Sequence, residues 1–132
     1  MALMKFREPN HVKRVGVRPA HDGTQIFTRG NQLGAGENIF YTVPAGKTFH
    51  LTYYHVSSRL SAAVAAEGGL VIYDSTPALW QWIVYHEYDV AGHQVSFLGY
   101  TFPLEIPAGY TLRNNVSHAN MDCLCIIVGW TE

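Results

Sequence analysis

The amino-acid sequence predicts an all-β protein, a single-domain β-sandwich of jelly-roll type with about eight strands. One observation is a repeated corner, because Val43-Pro44-Ala45-Gly46 returns as Ile106-Pro107-Ala108-Gly109. Proline presets φ at the first central position of a type I turn and glycine is favoured at its fourth position, so each copy predicts two strands joined by a tight corner. The other observation is a succession of short runs rich in β-branched and aromatic residues, separated by turn residues. Together they indicate two sheets between which the chain bends at equivalent places.

The strand signals follow one another from position 37 onward. Residues 38–43 enter the first corner, and residues 47–58 leave it with alternating polar and apolar positions. Residues 61–66 are predicted to form a helical turn or a loop. The later strands are predicted at residues 70–74, 79–88, 93–98, 101–106, 110–115 and 121–130. Asp89 and Gly92 fit the first and fourth positions of a type I turn, which predicts a hairpin between 79–88 and 93–98.

The last predicted strand is apolar on both faces. Cys123, Cys125 and Ile127 fall on one side, whereas Leu124, Ile126, Val128 and Trp130 fall on the other. Such a strand is either central in its sheet or covered by a partner subunit. Cysteines two residues apart in a strand have poor geometry for a disulfide, so both are predicted to be reduced and buried.

Residues 1–36 are predicted to be an extended N-terminal arm, and residues 37–132 the sandwich domain. Glycine and proline punctuate the first segment, and its apolar residues stand alone or in pairs. The arm would contain one or two short strands and lie against the sandwich or a neighbouring subunit. Because such a segment gains little by packing on its own domain, we expect it to extend across a neighbouring subunit or a shell surface. The predicted interface combines arm anchors with outward residues of the last strand: Leu3, Phe6, Val15, Val17, Ile26, Phe27, Leu124, Ile126 and Trp130.

The composition favours an assembled subunit. Charged residues make up 14% of the chain, below the roughly 25% typical of soluble domains, which leaves few groups to solvate the surface of a monomer. The formal net charge of −1 argues against a nucleic-acid partner, because binding by counterion release requires clustered lysine and arginine. No signal peptide, membrane span or membrane partner is expected.

The candidate chemistry is sparse. His50 and His55 are five residues apart in one strand and therefore lie on opposite faces, while His86 and His93 could meet diagonally across the predicted hairpin without an evident third ligand. Pro-x-Gly corners also occur in cupins, but a cupin histidine would stand where this chain has Leu112. No nucleophile elbow and no phosphate-binding loop is present. We therefore expect no metal, no cofactor, no catalytic residues and no enzymatic activity.

A cluster of aromatic residues leaves two interpretations open. Trp80, Trp82, Tyr85 and Tyr88 lie in one predicted strand. One interpretation places them in the core, where tryptophan and tyrosine contribute large buried areas. The other makes them an exposed platform for a sugar or a partner protein, since these residue types are enriched at interface hot spots.

Three segments resemble those of small structural proteins of bacteriophages. They are Ile/Val-Pro-Ala-Gly-x-Thr at both corners, Leu70-Val71-Ile72-Tyr73-Asp74, and the closing Gly129-Trp130-Thr131-Glu132. The resemblance covers roughly residues 37–132 and implies a jelly-roll or related subunit that decorates a capsid or sits on a tail, commonly as a trimer, without enzymatic residues.

The resulting expectation is a non-enzymatic capsid decoration, or cement, subunit. It would form a homo-oligomer, with a trimer favoured, and bind the major capsid protein or another virion protein after assembly in the host cytoplasm. The alternative is a carbohydrate- or receptor-binding module of a phage tail or fibre.

Overall fold

The computed structural model describes residues 23–132, which form eight antiparallel strands in two four-stranded sheets. In chain order the strands are β1 (Thr24–Leu33), β2 (Gly36–Thr42), β3 (Phe49–Leu60), β4 (Ala66–Tyr73), β5 (Trp80–Tyr88), β6 (Gly92–Ile106), β7 (Thr111–Val116) and β8 (Met121–Thr131). Sheet one has the order β1-β8-β3-β6 and sheet two the order β2-β7-β4-β5. Successive strands alternate between the sheets, except at the β4–β5 hairpin. This arrangement confirms the predicted jelly roll.

The two Pro-Ala-Gly corners carry the chain between the sheets, and they lie side by side. Val43 donates its backbone N–H to the carbonyl of Tyr110 at 2.9 Å, and Gly109 donates to the carbonyl of Val43 at 2.9 Å. The turn type differs from the prediction. Lys47 donates to the carbonyl of Pro44 and Gly46 has φ +74°, which makes glycine the third residue of a type II turn. The second corner has the same type II turn, in which Tyr110 donates to the carbonyl of Pro107 and Gly109 has a positive φ.

The boundary predicted between an arm and the sandwich is wrong. β1 lies inside the predicted arm of residues 1–36, yet it pairs with β8 along its full length, from Thr24 opposite Thr131 to Leu33 opposite Asp122. The isolated apolar residues that suggest an arm belong here to an edge strand with one face on the core. The predicted anchors Leu3, Phe6, Val15 and Val17 lie outside the described residues.

Two further strand predictions are corrected. The predicted strands 93–98 and 101–106 form one strand, β6, with an irregularity in its pairing between Leu51 and Tyr53 of β3. The strand predicted at residues 70–74 begins earlier, because β4 starts at Ala66 and includes Gly68 and Gly69. The described sandwich still has eight strands, because β1 replaces the strand lost by this merger.

The predicted hairpin between residues 79–88 and 93–98 is also wrong. β5 pairs with β4 in sheet two, whereas β6 pairs with β3 in sheet one, so the turn after Tyr88 crosses between sheets. The hairpin partner of β5 is fixed by the preceding loop, where one carboxylate oxygen of Asp74 accepts hydrogen bonds from the backbone N–H groups of Thr76 and Ala78. Local turn chemistry alone cannot tell a hairpin from a sheet crossing.

The core lies between the inward faces of both sheets. Its fully buried side chains include Phe49, Leu51, Val56, Leu60, Leu70, Ile106, Leu112, Met121 and Ile127. Burying each large aliphatic or aromatic side chain contributes about 1.5–3 kcal/mol to stability. Cys123 and Cys125 are free thiols in this core, as predicted, with their sulfur atoms 3.9 Å apart. The hydrogen bond with Cys123 and burial together raise the pKa of the Cys125 thiol well above its ordinary value.

Candidate functional site

The outer surface of sheet one is apolar across its centre. We call the outward side chains Phe27, Tyr53, Val95, Phe97, Leu124, Ile126 and Val128 the apolar face. The strand register places them in adjoining rows. In one row Phe27 lies opposite Val128. In the next, Ile126 lies opposite His55, and His55 lies opposite Phe97. Phe27 is 74% exposed and Phe97 is 67% exposed. Contiguous exposed apolar surface of this kind is uncommon on monomeric soluble proteins and marks interaction sites.

The charged groups on this surface lie mainly at its ends. The three central rows are the outward residues aligned with Leu124, Ile126 and Val128 of β8. Among these described residues, Arg29 is the one side chain with a formal charge. At one end Arg59 and Asp122 form an ion pair of 2.8 Å, and at the other His50 Nε2 lies 3.1 Å from the Glu132 carboxylate. The centre of the face therefore loses little charge solvation when another surface covers it.

Two open depressions accompany the exposed phenylalanines. One, of about 380 Å³, is lined by residues that include Leu33, Val95 and Leu124. The other, of about 460 Å³, is lined by residues that include Phe27, Val128 and Trp130. The face thus presents projecting aromatic rings beside two concavities, the first of which is also lined by polar residues, including the ion pair of Arg59 and Asp122.

The five predicted interface residues that the structure describes lie on sheet one, but not all of them on its outer surface. Phe27, Leu124, Ile126 and Trp130 point outward, as the alternation of the sequence predicts. Ile26 points inward and packs against the core, so its assignment to an interface is corrected. Trp130 stacks on His50 with ring centroids 4.8 Å apart and is only 7% exposed, which leaves little of it free for a partner.

The outer surface of sheet two carries a second cluster, which we call the aromatic face: Tyr73, Trp80, Trp82 and Tyr85. The ring centroids of Trp80 and Trp82 are 6.1 Å apart, and those of Trp82 and Tyr85 are 5.1 Å apart, both edge to face. The pairing of β4 with β5 shifts by one residue between Leu70 and Val71. Because of this shift, Trp82 and Tyr85 lie on the same side of the sheet. Trp80 is 56% exposed and Tyr85 is 44% exposed.

A set of polar side chains, which we call the polar rim, borders these rings: Glu37, Glu67, Arg113 and Asn115. Arg113 donates to Glu37 at 3.1 Å, and its guanidinium carbon lies 3.8 Å from the centroid of the Tyr73 ring. The hydroxyl of Tyr73 also donates to Glu37. The hydroxyl of Tyr85 donates to Glu67 at 3.0 Å. These bonds to carboxylates raise the pKa of both tyrosines, which keeps the phenols protonated as donors.

Tyr88 does not belong to the aromatic face. It is buried, and its hydroxyl lies 2.6 Å from Ser58 Oγ, which in turn lies 2.6 Å from His86 Nδ1. His86 is also buried, with Nε2 2.9 Å from Ser96 Oγ. This Ser58–His86 pair is enclosed between the sheets, so it presents no nucleophile to a substrate in solution.

The predicted meeting of His86 with His93 is wrong, because His86 points into the core and His93 is exposed on sheet one. Within residues 23–132, no three histidine, cysteine, aspartate or glutamate side chains are grouped so that they could hold a metal ion. The same part of the chain contains no helix that is long and apolar enough to cross a membrane.

No protein-family model matches the chain. A search of curated proteins likewise finds no match. The function of the protein is therefore inferred from the geometry of the two outer faces of the sandwich.

Sequence reasoning misses part of each face. The predicted hairpin groups Val95 and Phe97 with Trp80 and Trp82, but the two pairs lie on opposite sheets. The polar rim comes from β4, which directly precedes β5, and from β2 and β7, which are distant from β5 in sequence and share its surface only through the sheet order. The useful signal is the apolar outward half of β8, which does indicate the centre of the apolar face.

Proposed function

We propose that this chain is a non-enzymatic structural subunit of a virus particle, a capsid decoration or cement subunit that assembles as an oligomer on the shell. The observation that carries the proposal is the apolar face of sheet one. Double-sheet jelly rolls occur in viral capsid proteins, which supports the assignment by analogy of fold. The resemblance of the corners and the closing segment to phage structural proteins points in the same direction.

The energetics favour a covered face. Removing a phenylalanine side chain from water contributes about 1.5–3 kcal/mol, and both Phe27 and Phe97 are largely exposed in the protomer. Val95 adds a further exposed apolar side chain beside Phe97. Since charged side chains are scarce in the central rows, burial of these groups incurs little opposing desolvation cost.

A second copy of the chain is the occupant that best fits this face. In this assembly, the projecting Phe27 and Phe97 of one copy would pack against the open depressions of another. A formal net charge of −1 produces little repulsion between protomers. A contact in which the Phe27 edge of the face on one copy meets the Phe97 edge on the next is head-to-tail and closes into a ring, for which we favour a trimer that would sit on the major capsid protein.

Sedimentation velocity tests the self-association. The wild-type protein should sediment as an oligomer, whereas the variant Phe97→Asp should approach the monomer mass of 14.7 kDa, with at least about a tenfold weaker association. Leu79→Asp is the matched control, because Leu79 is 72% exposed but lies in the β4–β5 loop. A wild-type monomer, or equal effects of the two variants, would refute assembly through the apolar face.

Immunogold electron microscopy of purified particles tests the virion assignment separately. Labelling over the whole shell is the expected result. A protein absent from the particles, or present only at a tail tip, would exclude the decoration function even if the chain self-associates.

A further inference from the structure

The aromatic face of sheet two has a different composition from the apolar face. It combines exposed ring surfaces with hydrogen-bonding side chains that are already oriented by their neighbours. Trp80 and Tyr85 are both substantially exposed, whereas Arg113 and Glu37 are held in place by their mutual ion pair. Binding sites for small polar ligands have this character, because apolar surface supplies contact area and a few fixed polar groups supply orientation.

The middle of this face has a glycine in place of a side chain. Strand register places Gly69 between Asn115 and Tyr85, so no side chain separates these two residues. A Cβ atom at position 69 would lie 2.1 Å from the carbonyl oxygen of Val84, so glycine is required by the local backbone. Gly69 is itself buried, so neighbouring side chains cover the sheet at this point, and the surfaces open to a ligand are the exposed rings of Trp80 and Tyr85.

We propose that the aromatic face binds neutral carbohydrates through their pyranose rings. The C–H groups on one side of a pyranose carry partial positive charge and pack on the electron-rich face of an aromatic ring, for which Trp80 and Tyr85 are available. Sugar hydroxyls donate to carboxylates, and Glu37 and Glu67 lie beside these rings, where they accept hydrogen bonds from Tyr73 and Tyr85. Asn115 offers an amide that both donates and accepts.

The charge of the face selects against acidic sugars. Glu37, Glu67 and Glu87 all belong to the outward surface of sheet two, and Arg113 compensates only one of these carboxylates. A sialylated, sulfated or phosphorylated glycan would place its own negative charge beside them. A neutral hexose or N-acetylhexosamine polymer meets no such repulsion.

The binding test uses the full chain and a glycan array. The probes are neutral oligosaccharides of glucose, galactose, mannose and N-acetylglucosamine, with sialylated and sulfated glycans for comparison. Titration of the best neutral probe, followed by tryptophan fluorescence and by calorimetry, gives its dissociation constant. Binding to at least one neutral probe, and weaker binding to its anionic derivatives, is the expected result. Absence of binding to every neutral probe, or preference for anionic ones, would overturn the proposal.

Variants locate the binding on the aromatic face. Trp80→Ala should weaken binding of the neutral probe by at least about tenfold, and Glu67→Gln, which keeps the shape of the side chain, should weaken it by a few-fold. Leu79→Ala is the control, since Leu79 is exposed next to Trp80 but offers no aromatic ring. Equal loss with Trp80→Ala and Leu79→Ala would overturn the site assignment.

A protein partner on the same face is the competing outcome. If Trp80→Ala changes the sedimentation of the chain while no sugar binds, the face is a protein interface and the carbohydrate proposal fails. Sugar binding should instead persist in Phe97→Asp, because Phe97 belongs to the other sheet.

Discussion

At the scale of single residues, the interior contains polar groups whose hydrogen bonds tie the two sheets together. Asn114 of β7 is fully buried and donates to the carbonyls of Gly30 at 2.9 Å and Cys123 at 3.0 Å, both in sheet one. His86 of β5 reaches Ser58 and Ser96, which also belong to sheet one. Because an unpaired buried polar group is costly, such bonds favour one alignment of the sheets over its alternatives.

The burial of His86 makes stability depend on pH. Desolvation lowers the pKa of His86 below its ordinary value, so the unfolded chain binds this proton more readily than the folded chain. Stability is therefore retained above the ordinary histidine pKa and is lost as the pH falls from 7 toward 5. The slope from one such group reaches at most about 1.4 kcal/mol per pH unit, and the loss ends below the folded-state pKa.

Chemical denaturation at several pH values checks this prediction. His86→Gln replaces the imidazole with an amide that does not titrate, so the free energy of unfolding should fall less steeply with acidification than in the wild type. His93→Gln, at an exposed position, should retain the wild-type slope. Identical slopes for all three proteins would show that His86 does not govern the acid response.

At the scale of elements, the corners decide where the chain changes sheets. Both contain a glycine with positive φ, +74° at Gly46 and +83° at Gly109, and they are hydrogen-bonded to each other. The sequence predicts these corners because Pro-Ala-Gly is a strong local signal. It does not predict that the turn after Tyr88 crosses between sheets, because the long-range pairing of β6 with β3 decides that outcome.

Substitution at a corner should be costly. Gly109→Val places a β-branched residue at positive φ, and its Cβ would lie 2.9 Å from the Cβ of Ser75. We expect a loss of at least about 2 kcal/mol in the free energy of unfolding. Gly99→Val is the matched control, because a Cβ at Gly99 would have no neighbouring atom within 4 Å and its φ is not positive. Denaturant unfolding of both variants measures the difference.

The glycines of the predicted arm could not replace Gly99 as the control position. Gly30 and Gly34, which lie in the segment that the sequence assigns to an arm, are unsuitable. A Cβ at Gly30 would lie 2.4 Å from Asn114 Oδ1, and Gly34 has φ +80°. Equal stability losses in Gly109→Val and Gly99→Val would show that the corner geometry does not limit stability.

At the scale of the whole molecule, the sandwich separates two kinds of surface. Sheet one presents an apolar face suited to another protein surface, whereas sheet two presents aromatic rings with a polar rim. The sequence predicts the fold class, the corners and the outward residues of β8, since these depend on local patterns. It could not predict that Trp82 and Glu37 share one surface while Phe97 lies on the other, because that depends on the order of strands in each sheet.

The last prediction concerns the N-terminal residues, for which the sequence predicts a role in attachment. Within residues 23–132, the eight strands of the described sandwich lie between Thr24 and Thr131, and the described core draws on these strands. Deletion of residues 1–12 should therefore leave the far-UV circular dichroism spectrum and the unfolding midpoint of the domain unchanged. If Leu3 and Phe6 anchor a neighbouring subunit, the same deletion should weaken oligomer formation in sedimentation velocity. Comparison with Phe97→Asp shows which segment forms the interface. A truncated chain that assembles like the wild type would place the whole interface on the apolar face. Partial loss of oligomer in each variant, and a larger loss when the two changes are combined, would show that both segments contribute.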